Sequence, residues 1–105
     1  MRIAISHNRS KEEIIKAIDR SFADLFQQRG GLPLQMTVDQ KNWQGSTLTF
    51  ALTANLGFLS SPIKGTIEVT DKEVIIDADL GILSRFVSEK TAQEMISSRV
   101  AGLLK

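Results

Sequence analysis

The chain has 105 residues, 42% hydrophobic and 24% charged, enough for one folded domain with a modest core and no metal or disulfide support. Thirteen basic residues stand against twelve acidic ones, and a net charge of +1 argues against a duplex nucleic-acid binder that works by neutralising phosphates. With no cysteine there is no disulfide frame, thiolate nucleophile or zinc knuckle.

The chain opens on an alternating run, with Ile3, Ile5 and His7 on one face and Ala4 and Ser6 on the other, which predicts a short strand rather than a signal peptide. Ser10-Lys11-Glu12-Glu13 has the Ser-x-x-Glu form of a capping box, which satisfies orphan amides at a helix start. In the helix that follows, Ile14, Ile15, Ile18, Phe22, Leu25 and Phe26 fall within about 120° of arc, the width of a core-facing stripe. Lys11, Lys16 and Arg20 share this helix with Glu12, Glu13, Asp19 and Asp24, the mixture of a solvated surface. Gly30-Gly31 stops the helix and Pro33 prevents its restart.

Four further strands are predicted, their inward positions being Leu34, Met36 and Val38, then Leu48 to Leu56, Ile63 to Val69, and Val74 to Leu80 at every second residue. Threonines and charged residues alternate with them, so one sheet face is buried and the other polar. Turns are expected at Asn42-Trp43-Gln44-Gly45, at Ser60-Ser61-Pro62 and at Asp71-Lys72. The last 20 or so residues read as helix, with Ala92, Ile96, Val100, Leu103 and Leu104 in one stripe, a second candidate capping box at Thr91 to Glu94, and a kink or helical turn near 88 to 91.

The order β-α-β-β-β-β-α makes a single α+β domain over residues 1–105: an antiparallel sheet of about five strands with two helices on one face, and the first strand beside the last. No segment approaches the ~20 apolar residues of a membrane-spanning helix, which suits a cytoplasmic protein.

One phrase occurs twice, as Leu56-Gly57-Phe58-Leu59-Ser60 and Leu80-Gly81-Ile82-Leu83-Ser84. Each copy closes a strand, and in a meander both emerge at one end of the sheet. This makes Leu56, Phe58, Leu59, Ile82, Leu83 and Phe86 a candidate interaction rim, where a monomer has little use for apolar side chains. Trp43, placed in a turn, is a candidate surface aromatic.

Chemistry is hard to find. His7, the one histidine, has no partner identifiable as an orienting group, so it reads as structural or exposed rather than as a general base. Asp77 and Asp79 share an outward strand face, but a flat strand cannot gather the six or more oxygens a hard cation wants. Ser60 and Ser61 lack a nucleophile elbow, and Gly57, Gly65 and Gly81 do not form a phosphate-cradling loop. No cofactor or metal motif is present, and a non-catalytic protein is expected.

From Trp43 onward the chain resembles the small bacterial family of polyhydroxyalkanoic acid system proteins. The pattern runs Trp43-x-Gly45, Leu48-x-Phe50, Leu56-Gly57, Ile63-x-Gly65-x-Ile67-x-Val69, Val74-x-Ile76, then Leu80, Leu83, Phe86 and a final helix ending Leu103-Leu104. The opening with Ile3, Ile5 and the helix capped at Ser10 fits the same layout, whereas Gly81 stands where the family pattern has a proline. The resemblance implies a reduced helix-grip arrangement and an association with polymer storage; it brings no catalytic residues. The expected role is therefore an association protein acting at a polymer granule surface, or on a granule-associated protein, through the apolar rim. The alternative is a binder of a small apolar or acyl ligand in a pocket between helix and sheet. A homodimer packed through the open sheet face, with Thr47, Thr49, Ala51, Thr53, Thr66 and Ile75, is compatible with either.

Overall fold

The computed structural model describes residues 1–25, 34–81, 85 and 88–104. Strand β1 (Arg2–Ser6) leads into helix α1 (Lys11–Leu25), and β2 (Leu34–Gln44), β3 (Thr47–Leu56), β4 (Leu59–Val69) and β5 (Glu73–Asp79) follow before α2 (Glu89–Leu103). The strands form one antiparallel sheet in the order β1-β5-β4-β3-β2, which sets the first strand beside the last. This is the α+β architecture expected from the element order.

Period-two alternation decides which face is buried. Leu48, Phe50, Leu52 and Ala54 on β3, Ile63, Ile67 and Val69 on β4, and Val74, Ile76 and Ala78 on β5 are all buried, joined by Ile3 from β1. Ile14, Ile18 and Phe22 of α1 and Val100 of α2 enter the same cluster, so both helices cover one face. The other face carries exposed Thr49, Lys64, Glu68, Asp77 and Asp79. There Arg2 stands opposite Asp77 and Lys64 opposite Asp79, cross-strand charge pairs of favourable sign.

At the start of α1, Ser10 Oγ accepts from Glu13 N at 3.2 Å, as the capping pattern requires. In α2 the cap lies three residues earlier than the expected Thr91. Ser88 is extended, and its hydroxyl accepts from Thr91 N at 3.1 Å, so Thr91 belongs to the first turn.

The hairpin turns are tighter than the sequence suggests. Gln44 pairs with Thr47 and Leu56 with Leu59, leaving the two-residue loops Gly45-Ser46 and Gly57-Phe58. Each loop has a glycine at φ near +60° followed by a residue at negative φ, the signature of a type II′ turn. Trp43 accordingly lies within β2, opposite Leu48, and not in a turn. Ser60, Ser61 and Pro62 likewise lie in β4, with Pro62 opposite Thr53. Counting outward from the Leu56–Leu59 pair, the missing amide of Pro62 faces away from β3, at a position beyond the last β5 pairing of Lys64 with Asp79.

Gly65 faces Phe50 across the sheet. A Cβ there would stand 2.4 Å from Asp77 O and 2.8 Å from Phe50 Cζ, so the ring occupies the space a side chain would take. Phe50 in turn meets Phe22 edge-to-face, with centroids 5.4 Å apart, which docks α1 on the sheet.

Candidate functional site

Among the described residues, the most exposed large apolar side chain is at the β3–β4 turn. Phe58 is 97% exposed; among the described residues the one other large hydrophobic classed as exposed is Val38 at 41%. The turn geometry explains it: a two-residue loop aims its second residue away from both strands. Below the turn, Ser60 Oγ donates to Asn55 Oδ1 at 2.7 Å and ties the two strands together just behind the loop. Leu59 is half-buried.

The second Leu-Gly phrase ends β5 at the same end of the sheet, but further back. Leu80 is buried, and its carbonyl accepts from Ser61 Oγ at 3.0 Å. Gly81, at φ +59°, passes so close to β4 that a Cβ would stand 2.8 Å from Pro62 O. Leu59 to Pro62 is three residues, so the Gly57-Phe58 turn projects about 10 Å beyond Gly81. Of the six candidate rim residues, Leu56 flanks the turn through its backbone pairing with Leu59, and Phe58 and Leu59 are placed on it. Ile82, Leu83 and Phe86 lie outside the described residues.

A signal that pattern-reading passed over is charge. From Asn42 to Ile63 no residue is charged, between Lys41 on one side and Lys64 on the other. The run covers the end of β2, all of β3 and the outer part of β4. The tip is thus an aromatic on a neutral hairpin, with Asp39 and Lys64 as the first charged groups behind it on β2 and β4.

Trp43 does not form part of this tip. Between Val38 and Gln40 the β2–β3 register shifts by one, with Asp39 as the extra residue, and its carboxylate accepts from Thr53 Oγ1. The bulge turns Lys41 and Trp43 to the helix side, opposite Phe50 and Leu48. Both reach Asp19 of α1: Lys41 Nζ lies 2.7 Å from Oδ1, and Trp43 Nε1 donates to the same oxygen at 3.0 Å. Hydrogen bonds from Lys41 and then Trp43 hold the Asp19 carboxyl below its ordinary value. This trio is not legible from residue order, because unbroken alternation places Lys41 on the solvent side.

His7 joins β1 to the β4–β5 turn. Its Nδ1 accepts from Arg9 N at 3.1 Å, which leaves Nε2–H to donate to Thr70 O at 2.8 Å. Both ring nitrogens are engaged in hydrogen bonds to the backbone. Asp77 is exposed, and Asp79 Oδ1 accepts from Gly81 N at 3.0 Å. Among the described residues no group of three or more acidic or histidine side chains could hold a metal ion.

The depressions lined by described residues lie on the surface. One of about 390 Å³ runs between His7 and Leu104, and another of about 410 Å³ follows the outer side of α1 past Glu13 and Arg20. Beneath α1, Ile14, Ile18 and Phe22 belong to one buried cluster with Phe50 and Ile67. No described helix is long and apolar enough to cross a membrane.

Residues 1–104 match the family model described as "Putative polyhydroxyalkanoic acid system protein". No curated protein and no solved structure gives a match. The match spans nearly the whole chain, including the strand-helix opening and both glycine-hinged phrases, and the chain belongs to the polyhydroxyalkanoic acid system protein family.

Proposed function

We propose that this is a non-catalytic association protein of the polyhydroxyalkanoate system, which docks at the stored-polymer granule through its β3–β4 tip. The observation that carries the reading is the exposure of Phe58 at 97%, on a turn that projects past the end of β5. A single exposed hydrophobic is ordinary on a protein surface. This one differs in its setting, on a rigid two-residue turn amid residues that carry no charge. Leu56 and Leu59, which pair with each other, flank it.

Removing a phenylalanine side chain from water contributes about 2 kcal/mol, enough for a reversible contact and enough to be lost on substitution. The test is fractionation of cells grown with and without stored polymer. The protein is expected in the granule fraction of the first and in the soluble fraction of the second. A protein that stays soluble in both has no granule role.

A further inference from the structure

Resting on that docking reading, we infer that the occupant of the tip is the neutral polyester itself, entered edge-on by the β2–β3–β4 end to a depth set by Asp39 and Lys64. Three observations lead there. The tip is convex and led by one aromatic side chain, the shape of a wedge. The charge-free run from Asn42 to Ile63 means that immersing the β3–β4 hairpin tip desolvates no ion of its own. The waterline follows from register. Asp39 is bonded to Thr53, three residues behind the Leu56–Leu59 pair, and Lys64 lies five residues beyond Leu59, so about 10 to 17 Å of hairpin enters before a charge does.

The polar residues at the tip select the surface. An anionic phospholipid layer is recognised by lysine and arginine beside the inserted side chain, and this stretch has none between Lys41 and Lys64. A polyhydroxyalkanoate surface presents ester carbonyls, which accept hydrogen bonds without bearing charge, among alkyl groups. Ser60 and Asn55 suit it: the Asn55 amide carries two donors, while its oxygen is taken by Ser60. The outer sheet face, with its Arg2–Asp77 and Lys64–Asp79 pairs, stays in water.

The absence of cysteine makes the test clean, because one introduced thiol is the only labelling site. An environment-sensitive fluorophore is attached at Ser60→Cys on the tip, at Gln40→Cys just past the bulge, and at Thr49→Cys on the outer face, all exposed positions. On bare poly(3-hydroxybutyrate) particles, the Ser60→Cys label is expected to shift to the blue and lose its quenching by aqueous iodide. The other two are expected to remain quenched. A charge scan reads the same depth: Ser60→Lys is expected to weaken particle binding roughly tenfold or more, and Glu68→Lys to leave it unchanged.

Binding with a freely quenched Ser60→Cys label overturns the edge-on insertion while sparing the granule role. Shielding only on granules that keep their native protein coat means a protein occupant, and stronger shielding on anionic phospholipid vesicles than on polymer means a lipid one; either overturns the polyester assignment. No association with granules or polymer overturns both readings.

Discussion

Lys41 Nζ stands 2.7 Å from the Asp19 carboxylate, a contact between β2 and α1 that depends on the extra residue Asp39. Without the bulge, the strand beyond it would present Gln40 and Asn42 to the helix in place of Lys41 and Trp43. The same ammonium also lies 5.9 Å from the centre of the Phe22 ring, so the bulge supports the aromatic contact that seats α1.

The sign of the Asp19 shift sets a pH dependence. A carboxyl held low in the fold stabilises it when ionised, so the contribution is present at neutral pH and fades as pH falls through and below the ordinary carboxylate value of 3.8. The group is half-exposed, which limits the effect. Asp19→Asn is expected to cost about 0.5–1 kcal/mol at pH 7 and almost nothing near the acid limit of folding. Urea midpoints of both proteins across pH 3 to 7 check this; a difference that grows on acidification contradicts it.

At Gly65, an added methyl meets backbone and an aromatic ring at distances no side chain tolerates. Gly65→Ala is expected to lose about 3 kcal/mol, because β4, β5 and Phe50 would have to move apart. Chemical denaturation measures it. A loss below about 0.5 kcal/mol would mean that the Phe50 ring is readily displaced.

His7→Ala removes two bonds that hold β1 and the Arg9 backbone to the β4–β5 turn, and an expected loss of about 1–2 kcal/mol follows. Nitrogen NMR of the wild-type ring at neutral pH should show the proton on Nε2. A proton on Nδ1 would contradict the hydrogen bond from Arg9 N.

Much of this fold can be read from residue order, and the places where reading stops have physical causes. Leu48, Phe50, Leu52 and Ala54 lie inward because a pleated strand turns every second residue the same way, and all four are buried. Ser10 caps α1 for an equally local reason. The glycine two residues after Trp43 reads as part of a wider turn, whereas Gly45 at positive φ closes the hairpin in two residues and leaves Trp43 within β2. The bulge left no mark in the pattern of hydrophobic residues, since Val38-Asp39-Gln40-Lys41 reads as plain alternation ending in polar residues. The apolar phrase around Phe58 was visible as a repeat, but how far each copy projects was not: β4 outruns β5 by several residues, and only pairing shows that.

Phe58 contributes almost nothing to the folded state, because it is as exposed as it would be in the unfolded chain. Phe58→Asp should therefore change stability by less than about 0.5 kcal/mol, with an unaltered circular dichroism spectrum. Stability and association are separable at this one residue.

The most direct measurement is the binding isotherm of wild-type and Phe58→Asp protein on poly(3-hydroxybutyrate) particles, with folding of both verified by circular dichroism. Losing the aromatic side chain and gaining a charge should weaken binding roughly 30-fold or more. Equal binding by a folded Phe58→Asp protein would show that the hairpin tip is not the surface that meets the polymer.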